Sequence, residues 1–188
     1  MVLTPSYYKM LQTGAIAPDF SLKNVIDGST VNLGKIKGKK GYLIIFMCNH
    51  CPYVKPKMGF INELSKKYSS KGLQVIGVSS NDPAEYSEDS PENMKKVAKE
   101  KGFSFPYLFD ETQEIAKAYG ASCTPDPFLF DAQKKLVYHG RVDDAHGKQH
   151  SEARTNELEE AVKELLLAGK VTVKEEPSLG CSIKWKKA

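Results

Sequence analysis

The chain is poor in arginine and cysteine and has no long apolar run, and each shortage removes a class of function. Of 27 basic residues only Arg141 and Arg154 are arginines. The net charge of +4 therefore rests on scattered lysines, with no arginine–aromatic stripe of the kind that reads nucleic acid. The runs Lys35 to Lys40 and Lys184 to Lys187 read as solvated faces. No apolar stretch approaches the roughly 20 residues of a membrane-spanning helix. The opening MVLTPSYYKMLQ shows no basic segment leading into an apolar core, so a cytoplasmic location is expected, without membrane or nucleic-acid partners. Four cysteines in 188 residues are too few for a disulfide-stapled secreted scaffold. In a reducing compartment, paired cysteines are more often catalytic or metal-binding.

What remains is a chain of ordinary globular composition whose elements alternate in type. DFSL and TVNL, around Asp27-Gly28, predict a short hairpin. GYLIIFM and LQVIGVSS are apolar runs of buried-strand length. Phe60, Ile61, Leu64 and Tyr68 recur at helical spacing until Gly72, and Ser90-Pro91 caps a second helix carrying Met94, Val97 and Ala98. FPYLFD predicts a short strand, and Ile115, Ala116 and Tyr119 a brief helix ending at Gly120. PFLFDAQKKLVYHGRV predicts two strands joined by a polar turn; Leu158, Ala161, Val162, Leu165 and Leu166 mark a last helix. This order implies an α/β protein with parallel central strands and an antiparallel end. A single domain over residues 1–170 is expected, with residues 171–188 an irregular tail packed on it.

The chemistry-bearing stretch is Met47-Cys48-Asn49-His50-Cys51-Pro52, at the junction of a buried strand and a helix. Residues i and i+3 at a helix start share a side, so their sulfurs can reach bonding distance. Unpaired N–H groups and roughly half a positive charge at a helix N-terminus stabilise a thiolate. Cys48, nearest the open end, is expected to be the more exposed and more acidic thiol. His50 would add positive charge, or simply face solvent. Pro52 suits a first helical turn, and Pro56 should bend or delay the helix. Downstream, Thr124-Pro125 precedes an apolar strand, the setting in which an X-Pro bond adopts the cis form.

Together, CNHCP, Thr124-Pro125 and the element order resemble the thioredoxin superfamily. GAIAPDFSL, NHCPYV, SSNDP, FPYLFDETQEIAKAYGASCTPDPF and PSLGCSIKWK extend the likeness, over nearly the whole chain, to the peroxiredoxin-like redoxin group that includes the alkyl hydroperoxide reductase/thiol-specific antioxidant domain. The resemblance implies a thioredoxin-like fold, a central mixed sheet flanked by helices with an amino-terminal hairpin extension. It makes Cys48 the attacking and Cys51 the resolving thiol, Pro125 a cis-proline facing them and receiving the substrate backbone, and Thr124 the residue that tunes redox poise. The implied activity is thiol-disulfide exchange in redox homeostasis, on a protein or small-molecule disulfide, reset by a cellular thiol reductant and needing no cofactor or metal.

Two other readings stay open. A peroxiredoxin-like thiol peroxidase, with an antioxidant role, presents P-x-x-x-T-x-x-C and an arginine. Aligned on Cys51 those positions hold Ile44 and Cys48, and on Cys48 they hold Gly41 and Ile45. Cys123 and Cys181 have Gly120 and Ser178 at the threonine position, and Arg141 reads as a surface residue. The peroxidase reading is thereby disfavoured. A metal carrier would use Cys48, His50, Cys51 and Cys123 for zinc, copper(I) or an iron–sulfur cluster, although a helical turn would aim His50 away from the cysteines. Asp143, Asp144, His146 and His150 lack compact ligand spacing and read as a solvated loop. Cys123 is either a third redox thiol or a small core residue; Cys181, in a tail pinned by Ile183 and Trp185, reads as packing more than redox. The strand before the motif offers no carboxylate to take the resolving thiol's proton. Asp126 could substitute, with a loop-surface role the plainer reading.

Overall fold

In the computed structural model, residues 3–6, 10–36 and 39–187 are described; Lys37 and parts of the amino-terminal stretch lie outside them. The run GYLIIF forms β4 (Gly41–Phe46), buried along its whole length. A strand buried on both faces needs sheet neighbours on both edges, and β4 has them. It pairs in parallel with β5 (Leu73–Ser79) and antiparallel with β8 (Asp126–Asp131), with Phe46 opposite Val78 and Asp126. β5 continues in parallel to β6 (Tyr107–Phe109), and β8 turns back into β9 (Leu136–His139). The amino-terminal hairpin, β2 (Ser21–Asn24) and β3 (Thr30–Asn32), joins through β2 to β6, giving the order β3-β2-β6-β5-β4-β8-β9.

Alternation along β4 sorts the core into two layers. Leu43, Ile45 and Met47 face one layer with Ile61 and Leu64 of α1 (Met58–Ser69), Met94 and Ala98 of α2 (Pro91–Glu100), and Leu158 and Val162 of α4 (Glu157–Ala168). Tyr42, Ile44 and Phe46 face the other, with Ala116 and Tyr119 of α3 (Glu114–Tyr119). The helices thus flank a mixed sheet, the expected thioredoxin-like architecture. Ser90 caps α2 by accepting from the Asn93 N–H, and α3 ends on Gly120 at φ +68°.

Two elements differ from the sequence reading in ways that matter for the site. The first helix does not begin at the cysteines. A turn of 3-10 helix, Lys55–Lys57, precedes it and α1 starts only at Met58; Pro56, which lacks an N–H and fixes its φ, sits in that turn. Nor is the tail wholly irregular. Residues Leu179–Ser182 form β10, antiparallel to β1 (Leu3–Pro5) and to the two-residue β7 (Cys123–Thr124), in a separate three-stranded ladder. Cys181 lies opposite Thr124. β10 comes so close that a Cβ on Gly180 would stand 1.9 Å from the Thr124 carbonyl oxygen. Only glycine fits there.

Lys184, expected on a solvated face, is buried: its N–H donates to Asn81 Oδ1 and its ammonium to the Ser182 carbonyl. Among the described residues no helix is long and apolar enough to cross a membrane.

Candidate active site

The loop after β4 carries Cys48, His50 and Cys51 to the carboxyl end of the parallel strands. Crevices there are the usual binding places of open α/β sheets. The Thr124–Pro125 bond, on the far side of the loop, is cis. Cys48 Sγ lies 3.4 Å from Thr124 Oγ1, and Cys51 Sγ lies 3.3 Å from the Thr124 carbonyl oxygen. The fold therefore gathers Cys48, Cys51, Thr124 and Pro125 into one cluster. Cys123 is buried beside it, its sulfur 4.0 Å from the carbonyl oxygens of Pro125 and Ser178.

Cys48 is not the more exposed thiol of the pair, and its burial works against ionisation. Cys48 and Cys51 both have 0% of their surface exposed. The N–H groups of Asn49 and His50, which would have stabilised a Cys48 thiolate, donate instead to Asp89 Oδ1 at 2.7 and 3.1 Å. Burial pushes the Cys48 thiol well above its ordinary value, and the Cys51 sulfur and the Asp89 charge add to the rise. Cys51 goes the other way, to about 5, because the Cys48 thiol, against the cost of burial, hydrogen-bonds its sulfur and the Cys181 thiol does the same. Cys181 Sγ is 2.9 Å away. Burial, then the hydrogen bond to Cys51, raises Cys181 to about 12. The three sulfurs form one hydrogen-bonded cluster with Cys51 in the middle.

His50 does not point away from the cysteines. Its Nδ1 sits 3.7 Å from Cys48 Sγ and 2.5 Å from Asp89 Oδ2, and its ring stacks on Tyr86 at 4.0 Å. Asp89 is the residue that sequence reasoning missed. It is fully buried and accepts from two loop N–H groups, His50 and Asn81 Nδ2. Its desolvation is outweighed by these bonds, His50's first, and its carboxyl is held below the usual range. Asn49 is pinned by the Glu88 carbonyl and by the Tyr107 hydroxyl. The available signal was positional: Asn81 and Asp89 belong to the polar stretch that follows the buried strand β5, where such sheets place their sites.

Asp126 is no loop-surface residue. It is fully buried on β8 and bonded to His139 Nε2 at 2.8 Å, and desolvation raises its pKa despite that partner. Cys123 is likewise pushed well up, by burial and then by the Asp126 charge. The four-residue soft metal site is not what the fold assembles: among the described residues, ligand atoms within 4.8 Å of one another come from Cys48, His50 and Asp89. Asp143 is not solvated either; it is buried against the Lys57 ammonium at 2.7 Å and His150 Nδ1 at 2.7 Å, fastening the turn before α1 to the loop after β9. Arg141 is bound to Glu157 and Thr155. A surface hollow of about 720 Å³ lined by Lys40, Lys67, Lys71 and Lys163 contains no cysteine.

Comparison with known proteins identifies the family and the fold. The Redoxin family model matches residues 12–156. The thiol-disulfide oxidoreductase ResA of Geobacillus thermodenitrificans is 29% identical over 142 residues, 74% of this chain and 76% of that protein. The crystal structure of an uncharacterized conserved protein from Geobacillus kaustophilus superposes with a TM-score of 0.91 at 46% identity, over 100% of this chain and 98% of that one. The thioredoxin domain of a thiol-disulfide oxidoreductase from Bacteroides vulgatus, with a TM-score of 0.59 at 23% identity over 69% and 88% of the two chains, shares the fold.

Proposed function

The chain belongs to the Redoxin family, and from that premise we propose that it is a thiol-disulfide oxidoreductase working through the Cys48–Cys51 pair. The observation that carries the reading is the buried sulfur cluster facing the cis Thr124–Pro125 turn. On the family's pattern Cys48 attacks one sulfur of a substrate disulfide, giving a mixed disulfide and releasing the other substrate sulfur as a thiolate that takes the Cys48 proton. Cys51, the thiol whose ionisation its sulfur neighbours favour, then attacks Cys48 Sγ as a thiolate, expelling the second substrate thiolate. The substrate gains the two electrons that the protein dithiol loses, and the protein is left as a Cys48–Cys51 disulfide. A cellular thiol reductant restores the dithiol, and a reducing cytoplasm is the setting taken for it. His50 and Asp89 fix the loop that carries the pair.

Neither sulfur is exposed, so a protein disulfide reaches Cys48 only when the cover over the site moves. Peroxide reduction is the weaker reading, since no threonine stands three residues before either site cysteine. Reduction of insulin disulfides tests the proposal. The wild type should turn over, and Cys51→Ser should fall to background while trapping a mixed disulfide on Cys48. A mixed disulfide on Cys51 in Cys48→Ser, with none on Cys48 in Cys51→Ser, would reverse the assignment of roles, and an inactive wild type would remove the function.

A further inference from the structure

Cys181 is the third sulfur of the cluster, and neither step of the cycle above uses it. It is buried with the other two, and its Sγ lies 2.9 Å from Cys51 Sγ, within about 1 Å of a disulfide bond length. Its sulfur contact is thus the resolving thiol, while contact with substrate falls to Cys48. The position is strongly held. Cys181 stands opposite Thr124 in the β10–β7 register, and residue 180 must be glycine for the strand to come so close to the cis-proline turn. Before Cys181, the Ser178 hydroxyl donates to the Pro125 carbonyl at 2.6 Å. After it, Gln113 Nε2 donates to the carbonyls of Ser80 and Lys184 and ties the chain to the end of β5. Burial, then the hydrogen bond to Cys51, opposes ionisation of Cys181 in the dithiol. The second of these ends when Cys51 enters a disulfide, and the Lys184 ammonium, held on the Ser182 carbonyl and hydroxyl, favours the thiolate.

We propose that Cys181 takes the disulfide over from Cys48: once Cys48–Cys51 has closed, Cys181 attacks Cys51 Sγ and leaves a Cys51–Cys181 disulfide with Cys48 free. The inference rests on the exchange reading above, with Cys48 as the attacking thiol and Cys51 as the resolving one. In this step the Cys51–Cys181 bond forms and the Cys48–Cys51 bond breaks. Cys48 leaves as a thiolate and takes the proton that Cys181 gives up. The step is redox-neutral, since one thiol and one disulfide enter and one of each leaves. Its consequence is direction. A Cys48–Cys51 disulfide can be attacked at Cys48 by the substrate dithiol just released, which runs the cycle backward. After the transfer Cys48 carries no disulfide to attack. The two electrons that reset the protein are then delivered to Cys51–Cys181, the bond that joins the loop to β10. Substrate meets one end of this relay and the cellular thiol reductant the other.

Oxidised glutathione is the probe, with a maleimide quench at successive times and tryptic mapping. The wild type should release both halves of the probe as free glutathione and link peptide 41–57 to peptide 175–184, with the maleimide on Cys48. Cys181→Ala should stop at the disulfide internal to 41–57, with Cys48 closed to maleimide. Cys48→Ser separates a relay from direct oxidation of Cys51 and Cys181. It should form the 41–57 to 175–184 link about tenfold or more slowly than the wild type, having lost the intramolecular donor of the disulfide. The same link at the wild-type rate in Cys48→Ser, or a wild-type link to peptide 118–134, which carries Cys123, would overturn the proposal. Should Cys48→Ser not fold, the order of events in the wild type decides: the disulfide internal to 41–57 must precede the link to 175–184, and a link that comes first overturns the relay. A wild type that reduces glutathione disulfide and keeps its bond at Cys48–Cys51 defeats this inference and spares the exchange function, whereas one that does not reduce it defeats both.

Discussion

If the charge of the sulfur cluster sits on Cys51, the protein's stability must depend on pH through that one residue. Its thiol is lowered from the ordinary 9.0 to about 5. A depressed value stabilises the folded state fully above the unfolded value, near 9, and the gain is lost as pH falls through about 5. At pH 7 the fold has realised roughly half of that range, worth about 3 kcal/mol. Cys48 and Cys181, raised by burial, stay protonated at pH 7 whether folded or not and add nothing there. The stability difference between wild type and Cys51→Ala, from urea unfolding, should therefore shrink by about 3 kcal/mol between pH 7 and pH 4. The donors can be removed one at a time. A hydrogen bond to a charged group contributes about 1.5–3 kcal/mol, so Cys48→Ala should raise the Cys51 midpoint by about one to two pH units. Cys181→Ala should raise it less, its hydrogen bond being the weaker contributor. Ultraviolet titration of the thiolate reads the midpoint directly. An acid-range inflection that survives Cys51→Ser and vanishes in Cys48→Ser would refute the reasoning.

Other outcomes follow from neighbouring contacts. Replacing Asp89 with alanine strands four donors, two of them loop N–H groups; unfolding free energy should drop by about 3–5 kcal/mol, and a loss below about 1 kcal/mol would show that the loop holds itself. Asp89 has a lowered pKa, so its own contribution is present above the unfolded value of 3.8 and disappears on acidification below it. Gly180→Ala puts a Cβ against the Thr124 carbonyl, so β10 should lift from β7 and alkylation of Cys48 and Cys51 should quicken; unchanged alkylation would mean that β10 is not the cover. Lys57→Met leaves the Asp143 carboxylate buried without its ammonium, and a loss of about 3–5 kcal/mol is expected in chemical denaturation.

Much of this protein is determined by the order of its residues alone. Period-2 and period-3.6 apolar patterns report burial directly, so β4, β5, α2 and α4 are legible from GYLIIF, LQVIGVS, Met94 with Ala98, and Leu158 with Val162. Spacing also joined Cys48 to Cys51, and the Thr-Pro pair before FLF marked the turn they face. The charge could not be read that way. Which sulfur is ionised depends on what surrounds each one, and those groups come from far along the chain: Asp89 takes the loop N–H groups from Cys48, and Cys181 brings a donor to Cys51. Asp126 misled for the same reason, since only the pairing of β8 with β4 and the contact with His139 bury it. Local sequence carries periodicity and spacing; desolvation and Coulomb forces act between residues that only the tertiary fold makes neighbours.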